Sequence, residues 1–154
     1  MLQHNGGIHV AAGEGRSLRV LASRLEIKAG AEAGLSFGIF ESVFPPGAGM
    51  PFLHLHRSYE EAFCVIEGEV QFQVGADELH AGPGSAVLVP PGVAHCFRNV
   101  GSTDARWLVV AAPPAAVTAI EEAAAVAPGD LDHLVEIFDR HDSELLERRP
   151  HWTG

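Results

Sequence analysis

The chain has 154 residues, of which 47% are hydrophobic and 19% charged, and its net charge is −10 with the histidines counted as neutral. This length suits one domain with a sizeable core, and the apolar fraction argues against a disordered chain. The negative charge disfavours nucleic acid as a partner because a phosphate backbone would be repelled.

Short strands separated by turns are predicted along most of the chain. Residues 1–16 are rich in glycine, and we expect them to form a loose N-terminal arm, with a short edge strand at residues 8–12 as the alternative. Residues 17–112 alternate apolar and polar positions between Gly/Pro turns, which is typical of an all-β sandwich or barrel. The predicted strands are 17–22, 24–28, 35–44, 51–56, 61–66, 70–74, 78–80, 85–89, 94–100 and 106–112.

The pattern changes after Pro113, where a C-terminal extension of residues 113–154 begins. Residues 115–127 are rich in alanine and follow a proline, which predicts a helix. Asp130 is a good N-cap for a second helix with apolar residues on one face. Beyond Asp142 the tail is charged and predicts no element. We therefore expect one or two C-terminal helices that pack outside the barrel or on a partner.

Two histidines and an acidic pair mark the segment that follows Pro51. Side chains alternate along a strand, so His54 and His56 point to the same face if they lie on one. Glu60 and Glu61 come shortly afterwards, at the start of the next predicted strand. A carboxylate on that strand can reach the same point in space, which is how β-structure builds a metal site.

Two stretches resemble the sequence motifs of the cupin family. In the second stretch Gly84, Pro90, Gly92, His95 and Asn99 match the second cupin motif at its defining positions and spacing. In the first, His54 and His56 are followed after four residues by Glu61 and after six more by Gly68, as in the first cupin motif. One departure is the glycine before His54, which stands one residue away from the family spacing.

This resemblance covers roughly residues 17–112 and implies a double-stranded β-helix, or jelly-roll barrel, with a metal at its centre. It implies His54, His56, Glu61 and His95 as the metal ligands. More loosely, the chain resembles single-domain cupins of the quercetin dioxygenase type. Members of the family commonly form dimers, so a homodimer is expected.

The residues themselves fit the same interpretation. Three imidazoles and one carboxylate suit a divalent transition metal such as Fe, Mn, Ni, Co, Cu or Zn. Four protein ligands leave two positions of an octahedron for water, substrate or O₂, which is a catalytic arrangement. We expect Glu61 rather than Glu60 to be the ligand, because Glu61 shares the inward face of its strand with Phe63 and Val65.

The same strand parity predicts the walls of a pocket. Inward aromatic side chains are most simply barrel core, but around a metal they also indicate an apolar cavity for an aromatic or hydrophobic small molecule. The predicted pocket residues are Phe40, Phe52, Phe63, Phe72, Phe97, Asn99 and Trp107.

The leading functional hypothesis is a metal-dependent dioxygenase of the quercetinase-like kind, with Glu61 also acting as the base that deprotonates the substrate. This rests on analogy at the level of the fold. One alternative is a redox-neutral isomerase, cyclase or lyase that uses the metal as a Lewis acid. Another is a non-catalytic barrel that binds a small molecule.

The remaining histidines and the cysteines carry little functional signal. We expect His4, His9, His80, His133, His141 and His151 to be exposed. Cys64 and Cys96 have the wrong strand parity for the site and are predicted to be reduced, buried thiols. With no basic and apolar leader and no run of about 18 apolar residues, a cytoplasmic protein without membrane partners is expected.

Overall fold

The computed structural model describes residues 2–4, 7–127 and 129–148. Within these ranges about half of the residues belong to strands, as the alternating pattern predicts. The strands are β1 (Leu2–His4), β2 (Gly7–His9), β3 (Arg16–Val20), β4 (Ser23–Ala29), β5 (Gly38–Phe44), β6 (Phe52–His56), β7 (Glu60–Glu67), β8 (Val70–Val74), β9 (Asp77–Ala81), β10 (Ala86–Val89), β11 (His95–Asn99), β12 (Ala105–Ala112) and β13 (Ser143–Arg148).

Two antiparallel sheets form the barrel. The six-stranded sheet has the order β10-β7-β12-β5-β4-β3, and the five-stranded sheet has the order β13-β6-β11-β8-β9. Their inward faces share one apolar core, to which both sheets contribute aromatic side chains such as Phe63, Phe72 and Trp107. This architecture confirms the predicted jelly-roll fold.

The core follows directly from strand parity. In β5 every second residue is buried, and Phe40 and Phe44 stand on that inward face. Trp107 from the neighbouring strand β12 is fully buried. It stacks on Phe44 with ring centroids 4.8 Å apart. Inward aromatics therefore meet across paired strands and fill the space between the sheets.

The turn between β7 and β8 requires glycine at position 68. Gly68 has a φ of +81°, and a Cβ at this position would lie 2.7 Å from Ala105. By contrast, Gly75 in the turn between β8 and β9 has a φ of +60° and no heavy atom within 4 Å of a built Cβ. The first turn thus combines a left-handed backbone with close packing.

Replacing Gly68 with alanine should lower the free energy of unfolding by about 3 kcal/mol, because backbone strain and overpacking add together. Gly75→Ala should cost only about 1 kcal/mol, since strain acts there alone. Urea denaturation of both variants measures the difference. Equal losses would show that the contact with Ala105 relaxes freely.

Two helices follow the barrel. Helix α1 (Ala115–Ala123) is shorter than the predicted 115–127. Helix α2 (Leu131–Arg140) begins where predicted, because the Asp130 side chain accepts a hydrogen bond of 3.1 Å from the backbone N–H of His133. Leu134 and Ile137 are its buried residues. No helix in the described ranges is long and apolar enough to cross a membrane.

The two ends of the chain differ from prediction. In the predicted loose arm, β1 and β2 pair as a hairpin. Beyond Asp142, where no element was predicted, β13 pairs antiparallel with β6 and forms the edge of the five-stranded sheet. Its Glu-Leu-Leu-Glu sequence lacks alternation, so the pairing with a distant strand decides its conformation. The division at residues 16 and 112 stays a prediction.

A candidate metal centre in the barrel

Three strands bring the predicted ligands together. His54 and His56 lie on the buried face of β6. His95 is the first residue of the adjacent strand β11 and stands opposite His54 in the register. Glu61 is the second residue of β7, in the other sheet, so its carboxylate reaches the histidines across the barrel interior.

The four side chains form a buried cluster whose ligand atoms all lie within 4.8 Å of one another. The Oε2 atom of Glu61 is 3.1 Å from Nε2 of His56 and 3.2 Å from Nε2 of His95. His95 is fully buried, and Glu61 is the most exposed of the four at 8%. Glu60, by contrast, is exposed at the start of β7. The choice of Glu61 over Glu60 therefore matches the geometry.

Backbone carbonyls fix the tautomers of two histidines. Nδ1 of His54 lies 3.2 Å from the carbonyl oxygen of Phe52, and Nδ1 of His95 lies 3.1 Å from that of Val93. A carbonyl oxygen can only accept, so in both rings Nδ1 carries a proton and Nε2 is the nitrogen that would bind a metal. Nitrogen lone pairs and a carboxylate fit a divalent transition metal.

The charge states of the cluster also suit a cation. Burial raises the pKa of the Glu61 carboxyl, but attraction to His56 and hydrogen bonds from His56 and His95 outweigh burial and hold that pKa well below its usual value. Burial, with repulsion from His95 and His56, lowers the pKa of His54 well below its usual value. At neutral pH Glu61 is therefore ionised and His54 is neutral, as metal ligands must be.

An apolar cavity of about 90 Å³ opens beside the cluster. Its lining contains no lysine or arginine. The polar residues that line it, besides His54, His56 and Glu61, are Tyr59, Ser23 and Ser42. The remaining lining residues are Val20, Leu21, Leu25, Phe40, Phe44, Gly49, Met50, Phe63, Phe97, Ala116, Ile120 and Phe138.

Three of the seven predicted pocket residues line this cavity, namely Phe40, Phe63 and Phe97. Phe72 and Trp107 do not, because both pack against Phe97 deeper in the core, at centroid distances of 6.0 and 5.3 Å. Parity identifies the inward face of a strand but not the depth along it. Phe72 and Trp107 thus lie away from this cavity, and their place in a substrate pocket stays a prediction.

Asn99 and Phe52 also lie away from the cavity lining. The Asn99 amide donates to the carbonyl oxygens of Phe44 and Thr103 at 2.9 and 2.7 Å, and its side-chain oxygen accepts from the N–H of Gly101 at 2.8 Å. These hydrogen bonds of Asn99 stabilise the turn after β11. Phe52 is 1% exposed, and its contact with the cluster is the carbonyl bond to His54.

The sequence pattern missed two residues that touch the cluster. The Tyr59 ring stacks on His56 with centroids 4.0 Å apart. Ser143 places its Oγ 2.8 Å from Nδ1 of His56. An aromatic residue between His56 and Glu61 was a usable signal for Tyr59. Ser143 gave none, because its proximity depends on the pairing of β13 with β6.

The other histidines and the cysteines are distributed as follows. His9, His80 and His133 are exposed as predicted. His141 is instead half-buried, 2.9 Å from a carboxylate oxygen of Glu122 on helix α1. The side chain of His4 and the whole of His151 lie outside the described residues. Cys96 is buried but Cys64 is exposed, because no described element covers the outer face of β7.

Comparison with known proteins gives a consistent result. Residues 40–111 match the family model described as a cupin domain. An uncharacterised protein of Streptomyces coelicolor is 40% identical over 58 residues, which are 38% of this chain and 54% of that protein. The matched regions cover between 33% and 64% of the length of the curated relatives.

Solved structures show the same fold. A predicted oxalate decarboxylase from Thermotoga maritima superposes with a TM-score of 0.64 at 21% identity, covering 69% of this chain and 99% of that one. A sugar phosphate isomerase of the cupin superfamily from Silicibacter pomeroyi has a TM-score of 0.53 at 26% identity, covering 59% of each chain. The domain match and the jelly-roll architecture together identify residues 40–111 as a cupin domain.

Proposed function

We propose that this chain is a metal-dependent enzyme and, most specifically, a dioxygenase acting on a small aromatic or enol-type molecule. The observation that carries the proposal is the buried set of His54, His56, Glu61 and His95 at the wall of an apolar cavity. These four residues would hold one Fe, Mn, Ni, Co, Cu or Zn ion. When bound, such an ion supplies a Lewis-acidic or redox-active centre with positions left for a ligand.

Glu61 is the group best placed to accept a proton. It is the only carboxylate among the described cavity-lining residues, and its lowered pKa keeps it ionised at neutral pH. A base of low pKa works best on an acidic hydroxyl such as that of an enol or phenol. The proposed role is therefore to take the hydroxyl proton of the substrate while the surrounding apolar side chains exclude water.

Cavity size and charge narrow the substrate class. A volume of about 90 Å³ holds about six water-sized groups at about 15 Å³ each. A one-ring compound fits this space better than a flavonol does. Because no lysine or arginine lines the cavity, a phosphate group would lack a partner there. We therefore propose a small, non-phosphorylated substrate.

Ser42 is the proposed hydrogen-bonding contact for this substrate. It stands between Phe40 and Phe44 on the inward face of β5, lines the cavity and is 2% exposed. Within the described part of the chain its hydroxyl has no hydrogen-bond partner. Ser23, also in the lining, already donates to the carbonyl oxygen of Val20 at 2.6 Å. Ser42 is thus free to bond a ligand.

Ser42→Ala should weaken binding of a hydroxyl-bearing ligand about tenfold, which corresponds to one lost hydrogen bond. Suitable probes are 5-hydroxy-4-pyranones that differ in one hydroxyl, such as kojic acid and its 2-methyl analogue, titrated into zinc-loaded protein by calorimetry. The methyl analogue should bind both proteins alike. In Ser23→Ala, by contrast, the expected loss is in fold stability. If Ser42→Ala weakens all such probes equally, or none, Ser42 is not a ligand contact.

Oxygen consumption tests the dioxygenase proposal. The protein is loaded in turn with Fe, Mn, Ni, Co and Cu and supplied with one-ring enediols, catechols and a flavonol in an oxygen electrode. We expect uptake with at least one metal, and none in His54→Ala loaded in the same way. If no form consumes O₂ above the rate of that variant, the dioxygenase proposal is lost.

A redox-neutral isomerase, cyclase or lyase is the second proposal. It is favoured by the 26% identity to the sugar phosphate isomerase of Silicibacter pomeroyi, although the cavity here offers no cation for a phosphate. Zinc in the purified protein, together with substrate turnover under anaerobic conditions, would support it. Strict dependence on O₂ would exclude it.

A binding protein without catalysis is the third. In such a protein the apolar lining would hold the ligand, so the affinity for the ligand should not change in His54→Ala and His95→Ala. Loss of affinity in both variants would support an enzyme whose ligand contacts the metal.

We also propose that the chain forms a homodimer. The supporting observation is the apolar outer face of β10, β7 and β12. On this face Leu88 is 70% exposed, Cys64 is exposed and Val110 is half-buried. Light scattering coupled to size-exclusion chromatography measures the mass directly. A monomer at high micromolar concentration would contradict the proposal.

A further inference from the structure

The three imidazoles of the cluster differ in what holds their outer nitrogen. His54 and His95 use backbone carbonyls, whereas Nδ1 of His56 faces the hydroxyl of Ser143. A hydroxyl can donate or accept, so by itself it does not fix the tautomer of the ring. We infer that Ser143 and Tyr59 act together as positioning residues that orient the His56 ring, with Nδ1 donating its proton to Ser143 when Nε2 binds the metal. This inference rests on the proposed metal function.

Ser143 and Tyr59 are buried and lie in close contact with His56. Oγ of Ser143 lies 2.8 Å from Nδ1 of His56 and 3.0 Å from the hydroxyl oxygen of Tyr59. Ser143 is fully buried and Tyr59 is 1% exposed. The Tyr59 ring lies against the His56 ring at an interplanar angle of 22°. Stacking on Tyr59 therefore fixes the plane of the His56 ring, and the hydrogen bond with Ser143 fixes its rotation within that plane.

Both ring nitrogens of His56 have a partner. Nε2 lies 3.1 Å from Oε2 of Glu61, and Nδ1 lies 2.8 Å from Oγ of Ser143. In the described part of the chain Tyr59 has Ser143 as its one hydrogen-bond partner, so Tyr59 holds the serine hydroxyl in place. When Nε2 binds a metal, Nδ1 carries the ring proton and Oγ of Ser143 accepts it.

Pairing of β13 delivers the serine to this place. Ser143 is the first residue of β13 and stands directly opposite His56 on β6. The backbone N–H of Arg57 donates to the carbonyl oxygen of Asp142 at 2.9 Å, which anchors the start of the strand. A residue far along the chain from the ligands thereby orients one of them.

Binding of Co²⁺ tests the inference. Ser143→Ala should weaken Co²⁺ binding 10–100-fold, the usual loss when a ligand loses its outer hydrogen bond. Tyr59→Phe keeps the stacked ring and should cause a smaller loss of about threefold, because only the hydrogen bond that holds Ser143 disappears. Competition with a chromophoric chelator gives the affinities.

The matched control is Asn99→Ala. Asn99 is equally buried and makes hydrogen bonds, but none of them reaches the cluster. This variant should lose fold stability and keep its Co²⁺ affinity. If Ser143→Ala likewise loses only stability, its role is structural and the inference is wrong.

The position of the ring proton can also be observed directly. Two-bond ¹H–¹⁵N spectra of zinc-loaded protein should show His56 with its proton on Nδ1 in the natural chain and a mixture of ring states in Ser143→Ala. His54 and His95 should show the Nδ1-protonated pattern in both proteins. A His56 that keeps a proton on Nε2 in the zinc-loaded natural chain would overturn the inference. Failure of the natural chain to bind Co²⁺ or any other divalent ion would overturn the proposed function instead.

Discussion

His95→Ala should abolish stable metal binding. His95 is fully buried, its Nδ1 is fixed by the carbonyl of Val93, and its Nε2 converges with that of His56 on Glu61. Removing a ligand outright should cost more than the roughly 10–100-fold lost when an outer hydrogen bond is removed. Inductively coupled plasma mass spectrometry after dialysis should find about one ion per natural chain and only traces in the variant.

His80→Ala is the control for non-specific metal capture. His80 is exposed on β9, away from the cluster, so its removal should leave the metal content unchanged. His54→Ala should behave like His95→Ala. If the two ligand variants retain a full complement of metal while His80→Ala loses it, the site lies elsewhere on the protein.

Trp107→Ala should lower the free energy of unfolding by about 3–5 kcal/mol, the usual cost of truncating a buried tryptophan or phenylalanine. Trp107 is fully buried, stacks on Phe44 at 4.8 Å and meets Phe97 edge to face at 5.3 Å. Truncation therefore leaves a cavity where two sheets share their core. Guanidinium denaturation followed by circular dichroism measures the loss.

Two further variants separate packing from polarity at this site. Nε1 of Trp107 is buried and has no hydrogen-bond partner in the described residues. Trp107→Phe removes that unsatisfied donor, so it should cost much less than Trp107→Ala. Leu88→Ala, at a position 70% exposed, should change stability by no more than about 0.5 kcal/mol. A loss in Leu88→Ala as large as in Trp107→Ala would mean that the outer face, not the barrel core, dominates stability.

Strand parity explains why so much of the barrel was predictable. Alternation in segments such as β5 and β8 reflects burial of one face, so both the strand and its inward residues can be found from sequence. The same alternation places His54 and His56 on one face of a strand. It also places Glu61, and not Glu60, on the inward face, where a metal ligand must lie. Spacing of the two motifs then adds His95.

Long-range pairing explains what was not predictable. Ser143 approaches His56 only because β13 adds to the edge of β6, and nothing local in Ser143–Arg148 encodes that partner. Alternation also does not show how deep in the barrel a side chain lies. Trp107 and Phe97 both face inward, but only Phe97 lines the cavity. The cavity residues that the helices contribute could not be predicted either. Ile120 and Phe138 come from helices whose placement on the barrel is set by packing.

The pairing of β13 with β6 has a consequence for the order in which the protein matures. All four candidate metal ligands lie within residues 54–95, whereas the hydrogen-bond partner of His56 is Ser143. A nascent barrel that captures an ion early would hold His56 loosely and exchange the ion readily. The orientation of His56 is therefore fixed only once β13 pairs with β6.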